Sequence, residues 1–71
     1  KNLNLENNMM IYVTDAMSGS KIAINTQHII AIHQGTGETN GKTIINLTNS
    51  HLLALELDYE IVAMINNGEL K

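Results

Sequence analysis

Seventy-one residues with no cysteine and no proline make one small domain that has neither a disulfide framework nor a thiolate metal site. Four lysines, no arginine and seven acids give a net charge of −3, which argues against nucleic acid, whose phosphates are met by clustered basic side chains. No run approaches the roughly 20 apolar residues of a membrane span, and no secretory leader pattern is present, so the expectation is a cytoplasmic protein with no membrane partner.

The apolar content is 44%, made of ten isoleucines and eight leucines beside two tyrosines, with no phenylalanine or tryptophan. A chain this short buries only about 60% of the surface it exposes when unfolded. Without large rings or covalent staples, such a domain commonly recovers stability by oligomerising, so self-association is expected.

Residues 1–8 (KNLNLENN) are polar and asparagine-rich, and are expected to be flexible. Met10 could even be the natural start. From there "MIYVT" alternates as a strand, with Ile11 and Val13 on one face and Met10, Tyr12 and Thr14 on the other. "MSGS" supplies a turn, and "KIAIN" alternates again, burying Ile22 and Ile24. "HIIAIHQ" is apolar on both faces, with Ile30 and Ile32 on one side and Ile29 and Ala31 on the other. A glycine-rich stretch, "GTGETNGK", precedes a fourth strand in "TIINL". After "TNS" comes "HLLALEL", with Leu53, Leu55 and Leu57 on one face and Leu52, Ala54 and Glu56 on the other. Met10, Tyr12, Leu52 and Ala54 then read as surplus apolar groups available to another copy. Asp58 is placed as a helix cap, Glu60 in the first turn, and Ile61, Val62, Met64 and Ile65 recur at helical spacing until Asn66-Asn67-Gly68 stops the helix.

The fold expected is mainly β (α+β): a small, bent antiparallel five-stranded sheet or partly open barrel with one C-terminal helix. The domain runs over residues 9–67, with residues 68–71 as a tail.

The order of Ile11, Val13, Thr14, Gly19, Ile24, Asn25, His28, Ile29, Ile32, Thr43, Ile45, Leu47, Asn49, Glu60 and Ile61 resembles the FlbD-like family of small proteins, found in flagellar operons and, in divergent forms, in phages and mobile elements. The resemblance spans residues 10–65. It implies a phage, mobile-element or flagellar accessory protein in a bacterial cytoplasm, with phage infection as one setting. The bent five-strand arrangement also looks like Sm-type barrels.

The polar residues carry little catalytic pattern. His28 and His33 have opposite strand parity and cannot share a metal without a bulge, so His28 is expected at a turn, bonding a backbone group near Asn25. Glu56, Asp58 and Glu60 cluster where the helix dipole favours negative charge. Neither a catalytic site, nor a metal, nor a cofactor is expected. The stretch of Gly35, Thr36, Gly37, Glu38, Thr39, Asn40, Gly41 and Lys42 is not a Walker loop, because a strand rather than a helix follows its lysine. It reads as a hairpin connection ending in an Asn40-Gly41 type I′ turn, with ligand or partner contact as a second use, because glycine-rich loops offer backbone amides to anions.

These readings converge on a non-catalytic interaction module. It would be a small homo-oligomer binding a protein partner or a small anionic, nucleotide-like ligand, one form of which sequesters a nucleotide signal through its loops. The alternatives are an Sm-like nucleic-acid regulator using Lys21 and Lys42, or a flagellar accessory protein.

Overall fold

The structure is a computed structural model that describes residues 9–69. The flexible segment expected over residues 1–8, and the last two residues of the tail, lie outside that range. Strand β1 (Met10–Thr14) pairs antiparallel with β2 (Lys21–Asn25), with Tyr12 opposite Ala23. Their alternation puts Ile11, Val13 and Ile24 into the core. The turn between them is held by Asp15, whose carboxylate accepts from the Ser18 amide and hydroxyl at 3.2 and 2.8 Å. Gly19, at φ 77°, supplies the left-handed step that closes it.

A 3-10 turn over Thr26–His28 follows, with the Asn25 side chain accepting from the Gln27 amide at 2.9 Å. Then β3 (Ile29–Gln34), β4 (Thr43–Leu47) and β5 (His51–Ala54) form an antiparallel sheet in that order. Five antiparallel strands and one helix, α1 (Asp58–Glu69), are therefore present as expected. They divide into a two-stranded and a three-stranded sheet, not closed into a barrel.

One corner joins the two sheets. Asp15 bridges to Ala54, the Leu55 amide donates to the Thr14 carbonyl at 2.9 Å, and the Ala16 amide donates to Leu53 at 2.8 Å. The ladder stops there because the next donor, the Thr14 amide, is taken at 2.8 Å by the Glu56 carboxylate rather than by a strand carbonyl.

The core is Ile11, Val13, Ile24, Ile45, Ala54 and Ile61, flanked by half-buried neighbours from β2, β3, β4, β5 and α1. Helix α1 contributes Ile61 and lies across β1 and β3, covering the space between the sheets. Each fully buried isoleucine contributes roughly 1.5–3 kcal/mol. Thr43, 1% exposed, satisfies its hydroxyl by donating to the Glu56 carbonyl at 2.6 Å.

Four expectations are corrected. A bulge between Ile29 and Ala31 breaks the parity of β3, so Ile29 and Ile32 both pack on the core while Ile30 projects outward, 68% exposed. In β5 the inward face is Leu52 and Ala54, not Leu53 and Leu55; Ala54 is fully buried and so is not surplus surface. At the helix start, Leu57 is the capping residue, since its carbonyl accepts from Ile61 at 3.1 Å. Asp58 is already helical, and Glu60 reaches back to the Leu57 amide at 2.9 Å, one half of a capping box. Finally, the helix continues past Asn66-Asn67-Gly68 to Glu69.

Candidate binding site

The glycine-rich stretch is a folded loop. The Gly35 amide donates to the Lys42 carbonyl at 2.8 Å, extending the β3–β4 ladder by one rung. The Thr36 amide donates to the Thr39 hydroxyl at 3.0 Å, and Gly37–Thr39 makes a single 3-10 turn. The Lys42 amide then donates to the Thr39 carbonyl at 3.0 Å. Asn40 sits at φ −55° and ψ 136° with Gly41 at φ 87°, which is a type II turn and not the expected type I′. Only Gly41 there needs the left-handed region.

This folding consumes most of the donors that made the loop an anion candidate. The amides of Gly35, Thr36, Thr39, Asn40 and Lys42 bond within the loop. Among the described residues, the amides of Gly37, Glu38 and Gly41 remain without a partner. The exposed Glu38 carboxylate stands among them, and Lys42 is half-buried.

A second feature lies at the other end of β4. An open groove of about 470 Å³ runs between β2 and the β4–β5 turn, with Ile22, Ile24, Leu47 and Leu52 as its aliphatic lining and His28 and His51 among its polar residues. Volume and lining are in the range of small-ligand sites. Thr43, beside the loop, and Leu47, beside the groove, are the two ends of the five-residue strand β4. At about 3.3 Å per residue they are about 13 Å apart, and the groove's lining includes no residue of the loop, so the two are separate features of a single chain. The sequence held no local sign of the groove, because its walls come from two hairpins and meet only through packing.

His28 does not reach Asn25; its Nδ1 lies 3.5 Å from the Thr48 hydroxyl, and its carbonyl accepts from the Thr48 amide at 2.9 Å. The Nε2 atom of His33 lies 3.2 Å from the Asn46 amide nitrogen. Among the described residues no three metal-ligating side chains gather. The acidic cluster is dispersed into separate structural tasks. Glu60 caps the helix, while Glu56 accepts from both the amide and the hydroxyl of Thr14 at 2.8 Å. Burial pushes the Glu56 carboxyl upward, but the Thr14 bonds, its own backbone amide and the Lys21 charge outweigh that and hold it below its usual value. Lys21 is 3.9 Å from the same carboxylate.

Among the described residues no helix is long and apolar enough to cross a membrane. No family model matches the chain, and no curated protein or solved structure matches it.

Proposed function

We propose that the protein is a non-catalytic interaction module: a small homo-oligomer that binds a protein partner or a small anionic, nucleotide-like ligand in the bacterial cytoplasm. The observation that carries this reading is the outer face of the β1–β2 hairpin. There Met10 and Tyr12 are 48% and 62% exposed beside the small, exposed Ala23, in a domain too small to spare apolar surface. The groove and the unbonded amides of Gly37, Glu38 and Gly41 supply two places for a ligand or partner. The resemblance to FlbD-like proteins points to an accessory role for a phage, mobile element or flagellum, one form of which sequesters a nucleotide signal.

The Sm-like nucleic-acid reading ranks lower. Lys21, one of the two internal lysines, lies beside the Glu56 carboxylate, which offsets its charge toward phosphate. A native mass spectrum of the protein purified from its host decides among these readings. The expected spectrum shows a discrete oligomer, with any co-purified mass being a small anion or a protein. A clean monomer with nothing bound overturns the proposal. Affinity that falls steeply with salt and requires Lys21 and Lys42 would transfer it to nucleic acid.

A further inference from the structure

The backbone bonds of the β1–β2 hairpin fix which way each residue of β2 faces. The Asp15 amide donates to Ser20, and the Thr26 amide donates to Met9. In an antiparallel ladder bonded pairs alternate, so Ile22 bonds with Val13 and Ile24 with Ile11. The backbone N–H and C=O groups of Lys21, Ala23 and Asn25 therefore point away from β1. Among the described residues no strand pairs with that edge.

The two edge strands that lie away from the Asp15–Ala54 corner, β2 and β3, are treated differently. Strand β3 carries a bulge with Ile30 projecting from it, a device that spoils edge pairing. Strand β2 is regular over all five residues, in a chain with no proline, and its side-chain charge is one lysine at its start. An unpaired edge this regular, bordered by an aliphatic groove, is a template for another strand.

We infer that β2 pairs with β2 of a second copy about a two-fold axis through Ala23, making one continuous sheet through the two β1–β2 hairpins. The inference deepens the homo-oligomer reading and rests on it. The occupant is argued from self-complementarity. The two-fold sets Ala23 against the partner's Ala23 and Lys21 against the partner's Asn25, so no like charges meet and each pair exchanges its outward N–H and C=O groups. On the outer face Tyr12 stands across from Ala23 in each copy. The two central alanines leave room for both rings to lie toward the axis. On the inner face Ile22 meets the partner's Ile24, which supplies aliphatic side chains to the groove beside the edge.

The chain has no cysteine, so single cysteines report this register cleanly. Bonded antiparallel pairs have Cα atoms about 5.5 Å apart, within the span a disulfide accepts. Mild oxidation of full-length Ala23→Cys is expected to convert most of it to a cross-linked dimer on a non-reducing gel, with Met17→Cys, 85% exposed in the turn, as a control that stays largely monomeric. Ala23→Pro removes an N–H that points away from β1 and is expected to sediment as a smaller species with an unchanged circular dichroism spectrum. If that variant misfolds, the cysteine result decides alone. A wild type that sediments as an oligomer while Ala23→Cys does not cross-link overturns the edge pairing and leaves the oligomer reading standing. A monomeric wild type at high micromolar concentration overturns both. Cross-linking that appears only after removal of residues 1–8 also overturns it, in favour of the chain's own N-terminal segment on this edge.

Discussion

Thr14 and Glu56 stand 42 positions apart, yet both the amide and the hydroxyl of Thr14 donate to the two carboxylate oxygens of Glu56 at 2.8 Å. The carboxylate takes the place of a strand carbonyl at the corner where the two sheets meet, and its side chain is 18% exposed. Charge-assisted bonds of this kind contribute about 1.5–3 kcal/mol each, and leaving their donors bare adds a desolvation cost. Glu56→Ala is expected to lower unfolding free energy by about 2–3 kcal/mol in urea melts. Lys21→Ala should change it by less than about 1 kcal/mol, because that lysine is 68% exposed and its ion pair is screened.

The same contact sets an acid limb. A carboxyl held below its usual value in the folded state stabilises fully above the unfolded value, and that stabilisation is lost as pH falls through the folded value. Stability should thus be level near neutrality and decline below pH 4.5, the ordinary value for this group. Glu56→Gln should flatten that decline. Urea midpoints measured from pH 7 down to pH 3 check the sign; a variant with an unchanged acid limb contradicts it.

Gly35 is buried, and an added Cβ would collide with the Thr39 carbonyl and lie 2.5 Å from the Thr39 hydroxyl. Gly35→Ala should therefore cost about 1–3 kcal/mol, as other overpacked sites do. Gly41→Ala meets open space and pays only for φ 87°, about 1–2 kcal/mol. Equal stability of both variants to the parent would mean that the loop is not folded as described.

The bulge in β3 separates neighbouring isoleucines. Ile30→Ala should be near neutral, because the side chain is 68% exposed, whereas Ile45→Ala, fully buried, should cost about 2–5 kcal/mol. Ile32→Ala should fall between them. A large loss at Ile30 in a monomeric preparation would restore unbroken strand parity.

For the loop as a ligand site, Glu38→Gln is the informative change. An anion approaching the amides of Gly37, Glu38 and Gly41 meets the Glu38 charge first, so the amide variant should bind an anionic ligand more tightly by titration calorimetry. A cationic partner would be lost instead. Chelator treatment should leave the melting temperature unchanged, since among the described residues no metal-ligating cluster forms.

Five strands, their antiparallel sense and the helix were legible in the chain itself, because alternation and helical spacing are local properties that burial of one face enforces. The inward sets of β1 and β2 followed for the same reason: the β-branched Ile11 and Val13 alternate with Tyr12 and Thr14, and Ile22 and Ile24 alternate with Lys21, Ala23 and Asn25. Where both faces are apolar the pattern is silent. In "HLLALEL" the choice of Leu52 and Ala54 as the inward pair was decided by pairing with β4 and the Asp15 bridge, and in β3 by a bulge that no residue type announces. The loop's glycines were visible as turn formers. Its type II geometry depended on how Thr39 folds back onto Thr36 and Lys42, and so did the consumption of its amides. The role of Glu56 and the groove beside β2 arise between segments distant in sequence, and contacts of that kind exist only once the core has drawn the two sheets together.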